Sequence, residues 1–380
     1  MKIRDTSYHS IRIGRLPNGC RLCVKGSKLV LLVTGLCTSR CWYCPLSDVK
    51  RNRNVTVANE WWISEDKDII EEAKLCNSLG AGFTGGDPLI VLDRTVRYIK
   101  MLKKEFGKDF HIHLYTPGNL ATKERLKKLY DAGLDEIRFH CPEKKYWRMI
   151  KNALEFDWDI GCEIPVIPGK KKEIIEFIDY IDSIGVDFLN LNELEISETN
   201  VGEMRKRGFV PKNDISYAVK GSDKLAKELL KYCSKNNSLR VHYCTVKLKD
   251  GIQLANRLKR RAKNVSRDYD IVTKEGLLIR GAIYLWDIYP TFGYNKKLKG
   301  MKNREKTVIL SKLKKIIKTI KDKFDIPEEL IELDERKLRI LTGGWIVKEI
   351  ADDLKLMGLK PAIVEEYPTW DGLCVDLEFL

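Results

Sequence analysis

Short apolar runs alternate with longer amphipathic stretches over the first two thirds of the chain. The short runs have the length of buried strands, and the longer stretches repeat their apolar residues every three or four positions, as helices do. The predicted strands cover 29–34, 81–84, 111–115, 136–140, 161–167, 188–191 and 239–243. The predicted helices between them cover 65–79, 92–106, 121–132, 146–156, 171–184 and 225–235.

This alternation predicts an α/β fold in which a parallel sheet closes partly or fully into a TIM-like (β/α) barrel. In such a fold the functional side chains gather where the strands end. We predict an N-terminal arm (1–28), the barrel (29–245), a basic segment with several aromatic residues (246–304) and a small α/β domain (305–380). Beyond the barrel, the pattern predicts a basic helix over 249–263, helices over 306–324 and 345–356, and strands near 362–367 and 373–379.

Three closely spaced cysteines follow the first predicted strand. Cys37, Cys41 and Cys44 form a C-x3-C-x2-C sequence. Three thiolates can hold three irons of a [4Fe–4S] cluster, whose complete protein shell would need four, so one iron stays open. At these residues the sequence resembles the radical S-adenosylmethionine (radical SAM) superfamily, whose open iron binds the amino and carboxylate groups of SAM.

A second segment supports this resemblance. Residues 84–89 read Thr-Gly-Gly-Asp-Pro-Leu and resemble the family's Gly-Gly-Glu-Pro segment, whose backbone meets the SAM amino group. The change from Glu to Asp keeps a carboxylate on a shorter arm. The chain looks most like archaeal radical SAM proteins related to the pyruvate formate-lyase activating enzyme, on segments 34–37, 44–47, 58–60, 84–89 and 190–195.

The resemblance implies a fold, an activity and a set of cofactor contacts. The fold is a partial (β/α) barrel over roughly residues 29–244. In the activity, an electron from a donor such as a ferredoxin or flavodoxin passes through the cluster and cleaves SAM, which yields a 5′-deoxyadenosyl radical that takes a hydrogen atom from the substrate. The implied SAM contacts are Tyr43, Gly85, Gly86, Asp87, Pro88, Tyr115, Thr116, Glu163, Pro168, Asn190 and Asn192.

Further cysteines predict a second metal site. Cys20 and Cys23 form a C-x2-C pair in the arm, and His242 and Cys244 end the last predicted strand. Together they predict a zinc site or an auxiliary iron–sulfur cluster, with Cys141 as a reserve ligand. A rival hypothesis places zinc alone on the four cysteines at 20, 23, 41 and 44, as in a nucleic-acid-binding zinc ribbon without catalysis.

The composition and charge of the chain predict where the protein is located and what it binds. The chain has 380 residues, eleven cysteines, no membrane-length apolar run and no apolar leader at its start, which predicts a cytoplasmic protein that meets no membrane. Residues 240–323 contain 23 Lys and Arg against 7 Asp and Glu, so this stretch carries the whole excess of a net charge of +15. We therefore expect the enzyme to modify RNA, namely tRNA, and residues 240–323 to bind the tRNA backbone. A protein or peptide substrate, modified by an activase or maturase, is the alternative, and a small molecule inside the barrel stays open.

Overall fold

Most of the predicted strands lie side by side in one sheet. The computed structural model describes residues 1–380. The strands of the first part of the chain are β1 (Ile3–Asp5), β2 (Ile11–Ile13), β3 (Lys28–Thr34), β4 (Val57–Ala58), β5 (Trp61–Trp62), β6 (Gly80–Gly85), β7 (His111–Thr116), β8 (Glu136–Phe139), β9 (Asp159–Val166), β10 (Phe188–Glu193) and β11 (Arg240–Cys244). The helices are α1 (Asn18–Val24), α2 (Asp66–Leu75), α3 (Leu92–Phe106), α4 (Lys123–Asp131), α5 (Lys171–Ser183), α6 (Val201–Lys206), α7 (Ser222–Asn236), α8 (Val246–Leu248) and α9 (Ala255–Val265).

The sheet has the order β1-β2-β11-β10-β9-β8-β7-β6-β3-β4-β5. Its seven middle strands, from β3 to β11, are all parallel, whereas β2 and β4 join their neighbours in antiparallel fashion. Because β3 and β11 pair with these flanking strands and not with each other, the barrel is partial. The predicted α/β fold class is confirmed.

Glycines on β6 make room on the inner face of this curved sheet. Lys28 on β3 reaches His113 on β7, with 3.2 Å between Nζ and Nε2, across the intervening strand. A Cβ at Gly82 would come within 2.8 Å of that histidine nitrogen. Helix α1 fills the same face, since the Gly19 amide donates to a carboxylate oxygen of Glu136 at 3.2 Å. The apolar core lies between the opposite face of the sheet and the connecting helices.

Two helices and four short strands differ from the prediction. The helix expected at 146–156 is a 3₁₀ helix over Lys144–Glu155. The basic helix expected at 249–263 is divided into α8, a π-helical stretch over Lys249–Leu254 and α9, and Gly251 lies inside the irregular stretch. Strands β1, β2, β4 and β5 were not predicted, because two or three residues are too few to show a period.

A second, antiparallel sheet occupies the rest of the chain. Its strands are β12 (Ile271–Val272), β13 (Leu278–Leu285), β14 (Ile331–Asp334), β15 (Arg339–Thr342), β16 (Leu359–Glu366) and β17 (Cys374–Phe379). They follow the order β14-β15-β13-β16-β17, and β12 pairs with β13. The helices are α10 (Tyr294–Gly300), α11 (Asn303–Phe324), α12 (Gly344–Glu349) and α13 (Ala351–Leu356).

The chain divides into two compact units, Met1–Arg257 and Leu258–Leu380. The structure thus has a boundary at 257/258 where the sequence predicted boundaries at 245/246 and 304/305. The physical reason is β13, which lies in the middle of the second sheet and joins the predicted basic segment to the C-terminal domain. No helix in the chain has both the length and the apolar character that crossing a membrane requires.

Candidate active site

The three cysteines of the C-x3-C-x2-C sequence lie in a long loop between β3 and β4. The loop is closed at its base, where the Gly35 amide donates to the Arg53 carbonyl at 2.8 Å. A tight turn holds two of the thiols together, since the Cys44 amide donates to the Cys41 carbonyl at 3.2 Å. The parallel strands end at this edge of the sheet, so the loop lies where chemistry is expected in a barrel. We call residues 35–56 the cluster loop.

The donor set of the cluster loop fits a [4Fe–4S] cluster. All three thiols are free and half-buried. Burial raises the pKa of Cys41 to about 11, and nearby positive charge such as that of bound irons would favour its thiolate. No three His, Cys, Asp or Glu side chains in the chain gather as ligands of one metal ion. A four-iron cluster takes each thiolate on a different iron and therefore needs a wider spacing than a single ion does.

Two glycines bring the end of β6 against the cluster loop. Gly85 has a φ of +128°, and a Cβ there would lie 2.2 Å from the Thr34 carbonyl oxygen. A Cβ on Gly86 would lie 2.0 Å from the Leu36 carbonyl oxygen and 3.0 Å from Cys37 Cβ. Only glycine permits this approach, which places bare backbone beside Cys37.

Asp87 is fully buried at the end of this glycine segment. Its Oδ1 atom accepts hydrogen bonds from the Leu89 amide at 3.1 Å and from the Thr116 hydroxyl at 3.0 Å, while Oδ2 has no partner. Burial raises the pKa of Asp87 to about 6. Pro88 is buried beside it and begins a 3₁₀ turn. The predicted SAM contact Thr116 therefore orients Asp87 with its side chain.

Tyr43 lies against a histidine that the sequence analysis did not assign to the site. His140 at the end of β8 must donate from Nδ1 to the Glu163 carbonyl at 2.8 Å, because a carbonyl only accepts. Its Nε2 then accepts from the Tyr43 hydroxyl at 2.9 Å, and the same nitrogen lies 3.9 Å from Cys41 Sγ. Burial lowers the pKa of His140, so the ring is neutral and the tautomer is fixed. This pair orients the aromatic ring predicted to meet adenine.

Four of the predicted SAM contacts meet around a buried arginine. Arg138 donates to Glu163 Oε2 and to the Tyr115 hydroxyl, each at 3.0 Å. Asn190 and Asn192 each donate to the same carboxylate at 2.9 Å. Burial alone would raise the pKa of Glu163, but the guanidinium and the two amides outweigh it and lower that pKa to about 2. Each Glu163 oxygen accepts at least one hydrogen bond, so its carboxylate belongs to an internal network.

Arg138 was missed by the sequence analysis although a signal was present. The segment Glu136-Ile137-Arg138 places two charges on one face of a predicted buried strand, where charges are costly unless they are paired. In the structure the two side chains form an ion pair at 2.5 Å between Nε and Oε1. Pro168 lies in the turn after β9, half-buried and 3.8 Å from the position of a Cβ on Gly221.

The residues predicted to form a second metal site do not assemble into one. Cys20 on α1 has Asn190 Nδ2 at 3.3 Å and Arg138 Nη2 at 3.5 Å from its sulfur. His242 has its Nε2 at 3.2 Å from Ser10 Oγ, and Cys244 has only the amide of Gln253 at 4.0 Å. The Arg138 guanidinium beside Cys20 disfavours a cation at this position. Cys23 is half-buried on the same helix.

The reserve ligand Cys141 points to a different part of the molecule. It belongs to the core between the sheet and the helices, where a Cβ on Gly118 would lie 2.8 Å from its sulfur. The predicted second metal and the zinc ribbon thus gain no support from the arrangement of their ligands. Neither set gathers three ligands around one ion.

Comparisons with known proteins agree with this site. The family model described as "Radical SAM superfamily" matches residues 31–141, which include the cluster loop, the glycine segment and His140. A Methanocaldococcus jannaschii protein is 40% identical over 384 residues, which cover 97% of this chain and 94% of the relative. The chain belongs to the radical SAM superfamily. That relative carries the provisional name of glycyl-radical enzyme activating enzyme.

Other comparisons concern the fold and the second unit. The Streptococcus suis enzyme SuiB bound to its precursor peptide SuiA matches with a TM-score of 0.44 and 16% identity, over 62% of this chain and 56% of SuiB. Coproporphyrinogen III oxidase from Escherichia coli matches with a TM-score of 0.37 and 11% identity, over 58% of this chain and 56% of the oxidase. The chain thus spans a little over half of these two solved structures. Residues 276–378 match a family described as a domain of unknown function (DUF8061).

Proposed function

We propose that this radical SAM enzyme is an activase that takes a hydrogen atom from a partner protein and leaves a radical there. One observation carries the proposal: the identity of 40% to a relative named as an activating enzyme extends over 97% of this chain. It therefore includes both units, and not only the cluster loop. A partner protein and a one-electron donor, such as a ferredoxin or flavodoxin, follow from this proposal.

The residues of the site have separate tasks in this activity. Bound SAM and a reduced [4Fe–4S] cluster supply a 5′-deoxyadenosyl radical in this superfamily. Cys37, Cys41 and Cys44 would hold three of the irons. The backbone of residues 85–86 would receive the SAM amino group, and Tyr43 would contact adenine. The protein's part is to bind, to orient and to exclude water from the reacting atoms.

A segment between β10 and α7 supports a protein partner, because it packs directly on the cluster loop. Residues 194–221 form this segment, which we call the β10–α7 excursion. The Phe209 ring stacks on Trp42 with 5.6 Å between centroids, and the Arg207 guanidinium lies 4.7 Å from the same indole. The Asn200 amide donates to the Tyr43 carbonyl at 3.0 Å. Anything that binds this excursion is therefore close to the cluster loop.

Three apolar side chains of the excursion are exposed within eight residues, among charged ones such as Lys212 and Asp214. Val210, Ile215 and Tyr217 are 52%, 94% and 67% exposed. Exposed apolar groups are common at sites of protein association. We infer that the partner protein docks on these side chains, which lie a few residues from Phe209. A docked protein would also shield the radical from solvent.

RNA modification is the weaker hypothesis after these comparisons, since no matched protein points to it. Two aromatic residues of the basic segment, Tyr284 and Tyr294, are buried in the core of the second unit and cannot stack on bases. Trp286 and Phe292 are exposed. The lysines of α11 lie mostly on its exposed side, as on an ordinary solvated helix. RNA is therefore kept as an outcome of the experiment.

The experiment follows 5′-deoxyadenosine, which forms when SAM is cleaved. The reconstituted enzyme is incubated anaerobically with SAM, a one-electron reductant and extract of its own source cells. The extract is left intact, treated with ribonuclease, or digested with protease that is then inactivated. We expect extract-dependent 5′-deoxyadenosine that survives ribonuclease and disappears after proteolysis, together with a protein radical seen by electron paramagnetic resonance.

Matched variants separate docking from chemistry. Tyr217→Ser and Ile215→Ser should reduce the extract-dependent product and leave the slow cleavage of SAM without extract unchanged. Cys37→Ala should abolish both. Loss of the product after ribonuclease, with no effect of proteolysis, would replace the activase proposal by RNA modification. Product that survives both treatments would point to a small molecule inside the barrel.

A further inference from the structure

The second unit contains a cavity of about 400 Å³ that no part of the proposed function uses. This volume lies in the range of small-molecule sites. The side chains that line it carry six positive and four negative charges. The positive ones are Arg261, Arg267, Arg280, Arg336, Lys337 and Arg339, and the negative ones are Glu332, Asp334, Glu335 and Glu366. The residues lie within the matched domain of unknown function, apart from Arg261 and Arg267.

The floor of the cavity is made of buried arginines. Arg339 is 2% exposed and donates to Asp334 and to Glu366, both at 2.8 Å. Arg280 is 9% exposed and forms a two-pronged pair with Asp270. Its remaining Nη1 atom is 4.0 Å from Glu366, beyond hydrogen-bond distance. Burying a guanidinium group costs free energy, so several of them around one cavity point to a binding site.

Two further cations lie at the mouth. Lys337 Nζ donates to Glu366 at 2.7 Å and to the Gly372 carbonyl. The Arg336 guanidinium lies 5.1 Å from the Trp370 ring. A Cβ on Gly372 would come within 3.3 Å of both Arg336 Nη2 and Lys337 Nζ. The absence of a side chain at 372 therefore leaves the space between these two cations open.

Three cations converge on one carboxylate at this point, and two of them also pair with Asp270 and Asp334. One carboxylate, Glu366, is approached by Arg280, Lys337 and Arg339 together. Burial, and next the Arg339 guanidinium, lower the pKa of Lys337 below its usual value. The carboxylates of Glu366 and Asp334 act in the opposite direction, so burial is the main reason that the ammonium is disfavoured. An added anion would stabilise the buried cations by pairing with them.

We propose that this cavity binds the phosphate group of a small phosphorylated molecule. Arginine forks and a lysine ammonium are the groups that proteins use for phosphate, and a phosphate monoester carries close to two negative charges at neutral pH. Arg280 Nη1, Arg336 and Lys337 supply the donors. Asp270 holds Arg280 and Glu366 holds Lys337, while Arg336 lies against the Trp370 ring. A volume of about 400 Å³ suits a small molecule such as a sugar phosphate or a nucleotide.

The test measures binding to the whole reconstituted protein by isothermal titration calorimetry at constant ionic strength. SAM is present in excess, so that adenine-containing probes cannot bind in the first unit. The probes are inorganic phosphate, ribose 5-phosphate, AMP, adenosine and succinate. We expect saturable binding of the three phosphate-bearing probes and none of adenosine or succinate. Tighter binding of AMP than of ribose 5-phosphate would identify a nucleotide site, and the reverse order a sugar phosphate site.

Two variants at the mouth and one matched control complete the test. Arg336→Gln and Lys337→Gln should each weaken ribose 5-phosphate at least about tenfold, as expected for loss of a charge-assisted hydrogen bond. Lys318→Gln, on the exposed side of α11, should bind like the unchanged protein. The proposal is overturned by an absence of saturable phosphate binding, by unchanged affinity in both mouth variants, or by equal binding of succinate. None of these outcomes depends on SAM cleavage, so the activase proposal stands or falls separately.

Discussion

Asp87 offers a quantitative test of the active-site geometry. Its carboxylate is fully buried, one oxygen has no partner, and burial raises its pKa from 3.8 to about 6. The folded protein therefore holds a proton on Asp87 between these pH values, where the unfolded chain has released it. Stability must then fall as pH rises through this window, because the folded state binds more protons.

The magnitude follows from the size of the shift. About two pKa units at about 1.4 kcal/mol each give a cost of about 3 kcal/mol at pH 8, and below pH 4 the cost is under about 1 kcal/mol. Asp87→Asn keeps an oxygen that can accept from Leu89 and Thr116 but carries no charge. We expect the free energy of unfolding of the variant to match that of the unchanged protein near pH 4 and to exceed it by about 3 kcal/mol at pH 8.

The assay is urea unfolding of the full chain without cluster, under reducing conditions, at several values of pH from 4 to 8. The difference between the variant and the unchanged protein at each pH removes the contribution of all other titrating groups. Asp109→Asn changes an exposed carboxylate and should show no pH-dependent difference. The refuting outcome is a gain in unfolding free energy of Asp87→Asn over the unchanged protein that is no larger at pH 8 than at pH 4. Asp87 would then not be a buried carboxylate with one unpaired oxygen.

Three other predictions concern the same unit. Cys37→Ala should lower bound iron from about four per chain to a trace, while Cys20→Ala should leave the iron content unchanged. Metal and sulfide analysis measures both variants, and iron retained without Cys37 would contradict the cluster assignment. Gly86→Ala should abolish SAM binding in equilibrium dialysis, because its Cβ would lie 2.0 Å from a carbonyl oxygen of the cluster loop; normal binding would exclude that close approach. Arg138→Met should lower the free energy of unfolding in urea by about 3 to 5 kcal/mol, because it leaves buried carboxylates without their cation. A loss below about 1 kcal/mol would show that water reaches the network of Arg138, Glu136 and Glu163.

Much of the first unit was predictable because local patterns determine it. Each predicted barrel strand is present, since short runs rich in apolar residues alternate with helix-length amphipathic stretches. The cluster loop and the glycine segment were identified because spacing and residue type alone define them. His140 was missed because a single histidine carries no spacing signal. Arg138 was missed because the pair Glu136 and Arg138 was not recognised as two buried charges, and only contacts with distant residues give either side chain its role.

The sequence by itself determined the edge of the sheet at which Cys37, Cys41 and Cys44 lie, because they directly follow β3, and it predicts that these thiols hold the cluster. It did not determine what Cys20, His242 and Cys141 contact, and there the second-metal prediction gains no support. Those contacts depend on the curvature of the sheet, which brings Arg138 to Cys20 and Ser10 to His242 over more than one hundred residues of chain. The cavity of the second unit is likewise invisible in the sequence, because its cations come from separate strands that only antiparallel pairing brings together.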